Sequence, residues 1–184
     1  MGSEQPICKN DVAGPILVAL GANLPSPIHG PPVATLEAAL GALRAAGLKI
    51  LARSGWWESP PVPASDQPWY VNGVVEIETG LGPEALLARL HEIEAAFGRV
   101  RGLPNAARVL DLDLLAYGSL VREGPEAPLL PHPRMAERGF VLHPLAQIRP
   151  DWRHPVSGLA LATLIARLPA GQLVRPLPQS PASD

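Results

Sequence analysis

Features that would place the protein outside the cell, in a membrane or on nucleic acid are scarce in this sequence. The single cysteine, Cys8, cannot form an internal disulfide, which favours a reducing compartment. No apolar run approaches the length of a membrane span, and the N-terminus lacks the basic and apolar segments of a signal peptide. A net charge of −2 argues against broad electrostatic binding to nucleic acid or to anionic membranes. We therefore expect a cytoplasmic protein with no nucleic-acid or membrane partner.

The motifs that most often bind phosphate or carry nucleophilic catalysis are also missing. The sequence has neither a Gly-x-x-x-x-Gly-Lys-Ser/Thr loop nor a Gly-x-Gly-x-x-Gly fingerprint. No Ser-His-Asp or Cys-His arrangement is recognisable. A zinc site is set aside because the following histidines lack metal-ligand spacing: His29, His91, His143 and His154. Any phosphate site must therefore be built from side chains.

The order of apolar segments predicts the fold. Runs with the pattern of strands are separated by segments in which leucines recur at helical spacing. The predicted strands cover residues 15–21, 48–57, 70–79 and the run around Asp111, and the predicted helices cover residues 33–46 and 83–97. This order is that of a ferredoxin-like βαββαβ core, an α+β fold with an antiparallel sheet and helices packed on its faces.

The 23 prolines are concentrated in the connections and at the two ends of the chain. We expect a flexible leader over residues 1–13, one domain over residues 14–168, and a proline-rich tail over residues 169–184. Within the domain we expect a proline-rich loop over residues 58–68, a loop or short helical turn over 130–138, a short apolar element over 140–145 and a last helix over 159–168.

One predicted strand carries a pair of acids. Asp111 and Asp113 alternate with leucines, and side chains two apart on a strand point to the same face. Carboxylates this close repel each other and resist burial unless a positive group joins them. Mg²⁺ would meet this need because it favours carboxylate oxygen and retains water or phosphate ligands. An edge strand with one solvated face and ordinary salt bridges explains the same residues equally well at this point.

Three arginines precede the acid pair, with no acid among them. Arg99, Arg101 and Arg108 fall within ten residues. Guanidinium groups supply paired donors that match phosphate oxygens, so the cluster indicates a phosphate site, although any single arginine could instead cover apolar surface. Further along, prolines flank His132, and a rigid turn there would present a donor to phosphate. A structural histidine is the alternative.

A possible pocket wall lies on the third predicted strand. Tyr70 and Asn72 are two residues apart, so both could face one pocket. A flat heteroaromatic ligand would suit an aromatic wall together with an amide that reads the edge of the ring. A core tyrosine and a turn asparagine explain the two residues equally well.

Taken in order, several segments resemble the family of 6-hydroxymethyl-7,8-dihydropterin pyrophosphokinases. The segments are Leu20-Gly21-Ala22-Asn23-Leu24, Glu58-Ser59-Pro60-Pro61, Asp66-Gln67-Pro68-Trp69-Tyr70-Val71-Asn72, Ile93 to Arg101, Arg108-Val109-Leu110-Asp111-Leu112-Asp113, Pro131-His132-Pro133-Arg134, and Glu137 to Leu142. The resemblance extends over about residues 15 to 165. The Asp-Leu-Asp strand and the Pro-His-Pro segment together make it specific.

The resemblance implies a ferredoxin-like fold and a function in folate biosynthesis. The protein would transfer pyrophosphate from ATP to the hydroxymethyl group of the pterin, giving AMP. Two Mg²⁺ ions would be held by Asp111 and Asp113. ATP would contact Glu94, Arg99, Arg108, His132 and Arg138, and the catalytic arginines would be Arg99, Arg101 and Arg108. The pterin would be bound by Ser59, Pro60, Val62, Tyr70, Asn72 and Phe140. The partners would be these two small molecules, and possible neighbours are other enzymes of the pathway.

The sequence departs from the family pattern in three places. The loop over residues 102–107 lacks the tryptophan that family members usually carry, Ala22 replaces a serine, and His91 stands where some members have a glutamine. The first departure bears on closure of the site, because loop closure excludes water from such sites. It also keeps an alternative open, a ferredoxin-like module that binds nucleotide or pterin without turnover.

Overall fold

Six strands and four helices occur in residues 13–99 and 106–178, the parts of the chain that the computed structural model describes. In chain order they are β1 (Ile16–Ala22), α1 (Pro32–Ala45), β2 (Lys49–Arg53), β3 (Trp57–Ser59), β4 (Tyr70–Glu78), α2 (Pro83–Ala96), β5 (Asp111–Tyr117), α3 (Gly139–Ile148), α4 (Leu161–Ala166) and β6 (Arg175–Pro176). A 3₁₀ turn, Met135–Glu137, precedes α3. No helix in these ranges is long and apolar enough to cross a membrane.

Both predicted helices of the core have clear sequence boundaries. A proline occupies the start of each, at Pro32 and Pro83, where its fixed φ suits the first helical turn and no backbone donor is lost. Each helix is followed by a glycine in the left-handed conformation, Gly47 with φ 82° and Gly98 with φ 88°. These signals explain why the helices agree with the sequence prediction to within one or two residues.

The strands form a single antiparallel sheet in the order β5-β1-β4-β3-β6, with β2 also paired to β4. The central strand β1 lies between β4 and β5, as a ferredoxin-like βαββαβ core requires. The α+β prediction is therefore confirmed. The helices pack on both faces of the sheet, because α1 and α2 bury one face and α3 and α4 bury the other.

The predicted single strand over residues 48–57 is wrong, since the chain forms two strands, β2 and β3. Between them, the Ser54 hydroxyl accepts a hydrogen bond from the backbone N–H of Val74 at 2.9 Å. The ring of Trp56 then packs over Gly73, where an added Cβ would lie 2.6 Å from the ring. This side-chain insertion interrupts the ladder, so β3 begins only at Trp57. It also takes Glu58 and Ser59 out of the predicted loop and into a strand.

Alternation along β1 and β5 determines which side chains face the functional side of the sheet. Val18, Leu20 and Leu112 pack beneath α1 and α2, whereas Leu17 and Leu115 pack beneath α3 and α4. The acid pair therefore lies on the α3 side, with both side chains on one face as the sequence predicts. In the register of the sheet Asp111 is opposite Gly21 and Asp113 is opposite Ala19. These small partners leave open space in front of both carboxylates.

The later elements are more ordered than predicted. The short apolar element expected over residues 140–145 is the ten-residue helix α3, which continues through Ile148 and contains Pro144. The predicted short turn and last helix are present as Met135–Glu137 and Leu161–Ala166. The 14–168 domain boundaries stay a prediction.

Part of the predicted tail packs on the sheet. Strand β6 pairs with β3, and the Leu177 N–H donates to the Trp56 carbonyl at 2.8 Å. The Arg175 guanidinium lies 5.0 Å above the Trp69 ring. Of the predicted leader over residues 1–13, only Ala13 is among the described residues. The end of the predicted tail, residues 179–184, also lies outside them.

Candidate functional site

A cleft of about 820 Å³ opens on the α3 side of the sheet, at the ends of β1, β4 and β5. It brings together most of the residues that the sequence analysis selected: Ser59, Pro60, Val62, Tyr70, Asn72, Arg108, Asp111, Asp113, His132, Arg138 and Phe140. Glu94 and Arg99 do not line it, but Arg99 contacts Asp111, which does, and Glu94 contacts Arg99. Arg101 lies outside the described residues, as does most of the loop that lacks tryptophan.

The acid pair is surrounded by guanidinium groups, but unequally. Asp111 Oδ1 accepts from Arg99 Nη1 at 2.7 Å, and Asp111 Oδ2 lies 2.7 Å from Arg108 Nη1. Asp113 is paired more loosely, with Oδ2 3.9 Å from Arg138 Nη1. Burial, followed by the charge of Asp111, raises the pKa of Asp113 to about 6. Asp113 is therefore less closely paired than Asp111, and both carboxylates line the cleft.

Glu94 supports this arrangement from behind. Its carboxylate is 1% exposed, and Oε1 accepts hydrogen bonds from the backbone N–H of Leu112 at 2.7 Å and from Arg99. Oε2 is buried with no hydrogen-bond partner within the described parts of the chain. Burial is the main cause that raises the pKa of Glu94 to about 7. Glu94 thus ties β5 to Arg99, and through Arg99 to Asp111.

Glu94 is expected to make the stability of the ligand-free protein depend on pH. Its folded pKa of about 7 lies above the ordinary value of 4.5, so the folded state binds the proton more tightly. The resulting stabilisation is complete below about pH 4.5 and is lost as the pH rises through about 7. We expect the melting temperature to fall from about pH 5 to about pH 8, and to fall less in Glu94→Gln, which cannot ionise.

Scanning calorimetry in metal-free buffer measures this difference. Glu92→Gln, an exposed change on the same helix, is the matched control and should keep the wild-type slope. Identical pH dependence in wild type and Glu94→Gln would assign the titration to another group.

His132 is held as a neutral donor. Its backbone N–H donates to the Leu115 carbonyl at 2.7 Å, and its Nδ1 accepts from the Arg134 N–H at 3.2 Å. Burial, then the charges of Arg138 and Arg134, lower its pKa to about 4. A neutral ring whose Nδ1 accepts carries its proton on Nε2. The ring can therefore donate one hydrogen bond without adding charge to the cleft.

The other half of the cleft is suited to a flat ligand. Asn72 and Ser59 are both buried, and Asn72 Nδ2 donates to Ser59 Oγ at 2.9 Å. The facing residue is Gly21, where a Cβ would lie 3.3 Å from Asn72 Oδ1. Tyr70 donates to the Ala106 carbonyl at 3.4 Å, and Phe140 lies beneath the Arg138 guanidinium at 5.5 Å. Two aromatic rings and a fixed amide thus share one pocket, as the spacing of Tyr70 and Asn72 suggested.

One connecting residue escaped the sequence analysis. Asn23 is 1% exposed, and its Oδ1 accepts from the Arg108 N–H at 2.8 Å. Its Nδ2 donates to Gln67 Oε1 and to the Pro68 carbonyl, both at 3.1 Å. Asn23 thereby joins the arginine segment to the loop that leads into Tyr70. The Gly-Ala-Asn turn after β1 was the available signal, but a turn asparagine has many simpler explanations.

The cleft also includes residues to which the sequence analysis gave no role. They include Gln67, Arg134, Glu137, Pro169 and Gln172. The last two come from the predicted tail, far along the chain from the acid pair.

Comparison with known proteins gives a consistent result. Residues 17–150 match the family model described as 7,8-dihydro-6-hydroxymethylpterin-pyrophosphokinase (HPPK). The chain is 41% identical over 155 residues to the 2-amino-4-hydroxy-6-hydroxymethyldihydropteridine pyrophosphokinase of Pseudomonas aeruginosa, covering 84% of this chain and 91% of that protein. The enzyme of the same name from Synechocystis is 40% identical over 158 residues, covering 83% and 75%.

Longer proteins match over part of their length. The folic acid synthesis protein fol1 of Pneumocystis carinii is 37% identical over 153 residues, which are 83% of this chain and 20% of that protein. Among solved structures, a triple mutant of Plasmodium falciparum HPPK-DHPS with STZ-DHP has a TM-score of 0.68 at 14% identity, covering 89% of this chain and 45% of that one. This structural likeness supports the fold alone.

Proposed function

We propose that this cleft is the active site of a chain that belongs to the 7,8-dihydro-6-hydroxymethylpterin-pyrophosphokinase family. The chain transfers pyrophosphate from ATP to hydroxymethyldihydropterin in folate synthesis. The observation that carries the assignment of the site is the acid pair, Asp111 and Asp113, which faces a cleft with arginines on one side and an aromatic pocket on the other. The alternative, a binding module without turnover, is not favoured, because enzymes of this name match most of the chain.

The acid pair fits Mg²⁺ better than a metal that needs a complete protein cage. Within the described residues no group of three His, Cys, Asp or Glu side chains could hold a metal ion. Mg²⁺ is suited to such a site, because it binds through one or two carboxylates and retains waters and substrate phosphates. When bound, Mg²⁺ would neutralise charge on the ATP phosphates and relieve the repulsion between the two carboxylates. That the enzyme depends on Mg²⁺, and that two ions bind, are parts of this proposal.

The arginines would then change partners. In the ligand-free protein Arg99 and Arg108 neutralise Asp111. If a cation were held by that carboxylate, both guanidinium groups could bind phosphate oxygens as paired donors, Arg99 while still bonded to Glu94. Arg138 and the Nε2 proton of His132 supply further donors to the same phosphates, and Arg101 is assigned to the catalytic loop by family resemblance. The energetic logic is positioning plus charge neutralisation, which dominates phosphoryl-type transfer.

The acceptor would lie between Tyr70 and Phe140. Asn72, held by Ser59, would bond the edge of the pterin, while Pro60 and Val62 would close the pocket wall. The hydroxymethyl oxygen of the pterin would attack the β-phosphorus of ATP and give up its proton to water. The bond from that phosphorus to the α-phosphate oxygen would break, and AMP would leave. Orienting the hydroxyl toward the phosphates is the main task of this half of the cleft.

Product analysis tests the proposal. The purified protein is incubated with ATP, Mg²⁺ and 6-hydroxymethyl-7,8-dihydropterin, and nucleotides and pterins are separated by chromatography. We expect AMP and pterin pyrophosphate in equal amounts, and no AMP when the pterin or the metal is omitted. Binding of both ligands without AMP would overturn the enzyme and leave the binding module.

Two further points from the sequence stay predictions. Location in the cytoplasm was expected from cysteine usage and the lack of targeting segments. Neighbouring enzymes of the pathway are possible partners. The match to one fifth of a longer folic acid synthesis protein supports that idea, because similar domains occur there beside others.

A further inference from the structure

The segment after α4 contributes two residues to the cleft, and both lie beyond the part of the chain that the family model matches. That match ends at residue 150, whereas Pro169 and Gln172 line the cleft. Gln172 is exposed, so its hydrogen bonds do not result from burial in the core. Its role must follow from its hydrogen bonds.

Both ends of the Gln172 amide hold the backbone on either side of Arg138. Its Oε1 accepts from the Gly139 N–H at 2.7 Å, and its Nε2 donates to the Glu137 carbonyl at 2.7 Å. Gly139 is the first residue of α3, whose N-terminus has no cap from its own side chains. Gln172 therefore supplies the missing cap from a distant segment.

The fit between the two segments is close. A Cβ added at Gly139 would lie 3.0 Å from Gln172 Oε1 and 3.2 Å from Val174 Cγ2. Only glycine allows this approach without movement of the neighbouring chain. The segment that contains Gln172 and Val174 thus packs directly against the backbone that carries Arg138 and Phe140.

Arg138 needs such support more than the other arginines of the cleft. Arg99 and Arg108 each have a nitrogen 2.7 Å from the Asp111 carboxylate, which fixes the side chain. Arg138 lies 3.9 Å from Asp113 and stands close to the positive charge of Arg134. Its position consequently depends on its backbone.

We propose that Gln172 is a positioning residue, which holds the Glu137–Gly139 backbone so that Arg138 meets the phosphates and Phe140 meets the pterin. The inference rests on the roles proposed above for Arg138 and Phe140. Gln172 itself acts through these residues and touches no reacting atom.

Gln172→Ala is expected to lower kcat/KM about five- to ten-fold and to weaken binding of a non-hydrolysable ATP analogue, because two hydrogen bonds to the clamped backbone are lost. The melting temperature should fall slightly, because the cap of α3 is lost while the side chain itself is exposed. Gln172→Glu keeps an acceptor for Gly139 but loses the donor to Glu137, so it should fall between wild type and alanine. Leu173→Ala, an exposed change one residue away, is the matched control and should behave as wild type.

A double-mutant cycle separates positioning from general stabilisation. If Gln172 acts through Arg138, Gln172→Ala will cause no further loss of analogue affinity in an Arg138→Ala background. Gly139→Ala should independently reproduce the Gln172→Ala defect by forcing the segments apart.

Four results would overturn the inference. They are wild-type kinetics in Gln172→Ala, a lower melting temperature with unchanged kinetics, a full additive loss in the Arg138→Ala background, and no effect of Arg138→Ala itself. The last result would also remove the proposed phosphate role of Arg138. Loss of activity in Arg138→Ala together with wild-type kinetics in Gln172→Ala would overturn the positioning role of Gln172 and leave the phosphate role of Arg138 in place.

Discussion

Asp113→Asn is expected to lower kcat at least about a hundred-fold while the folded protein keeps or slightly raises its melting temperature. The carboxylate at this position has a pKa of about 6 because burial and Asp111 disfavour its charge. Removing that charge relieves repulsion in the ligand-free protein. It also removes an oxygen ligand of the proposed metal site, so turnover should suffer where stability does not.

Asp111→Asn should cripple turnover to a similar degree but affect stability differently. Asp111 neutralises Arg99 and Arg108 in the ligand-free protein, so its replacement leaves two guanidinium groups facing each other. We expect a moderate fall in melting temperature, limited by solvent because all three side chains are partly exposed.

Steady-state kinetics, calorimetric melting and titration with Mg²⁺ plus an ATP analogue measure these effects. Asp151→Asn, an exposed change outside the cleft, is the control for loss of a carboxylate and should retain wild-type values. Unfolding of either cleft variant at room temperature would make the acids structural. Near-normal turnover with Mg²⁺ in either variant would show that the replaced carboxylate is not needed as a metal ligand.

Asn72→Leu is expected to raise the dissociation constant of the pterin about a hundred-fold, with little change in affinity for the ATP analogue. The asparagine amide is buried and bonded to Ser59, so its orientation in the pocket is fixed. A site built to hydrogen-bond a polar group of its ligand loses much of its affinity when one of the two hydrogen-bonding groups is removed. The near-equal size of leucine avoids a cavity and isolates the loss of hydrogen bonding.

Fluorescence titration with the pterin and calorimetric titration with the ATP analogue separate the two affinities. Ser59→Ala should give a smaller loss, because it removes the support for the amide and leaves the amide itself. Glu78→Gln, at the exposed end of the same strand, controls for changes in β4. Equal losses for pterin and nucleotide in Asn72→Leu would indicate a collapsed cleft in place of a pterin contact.

Much of this architecture could be predicted from local patterns. Period-two alternation placed Asp111 and Asp113 on one face, and the proline and glycine signals bounded α1 and α2. The sequence predicted only a short apolar element over residues 140–145. A proline is disfavoured inside a helix, yet α3 contains Pro144, and the apolar residues around it pack in the core on that side of the sheet. Tertiary packing overrode a local rule there.

The supporting residues could not be found in this way. Asn23 bonds to Arg108 across 85 positions of the chain, and Gln172 bonds to Gly139 across 33. No periodicity encodes such long-range hydrogen bonds between loops. The division between β2 and β3 likewise depends on Trp56 meeting Gly73, a contact between distant segments.

The metal role of the acid pair is the central claim, and anomalous diffraction tests it most directly. Crystals are grown with Mn²⁺ and a non-hydrolysable ATP analogue. Mn²⁺ is an anomalous scatterer that takes oxygen ligands as Mg²⁺ does. We expect two anomalous peaks, both within coordination distance of Asp111 or Asp113 and of phosphate oxygens. An analogue bound in the cleft with no metal at the pair, and with Asp111 still bonded to Arg99 and Arg108, would contradict the claim.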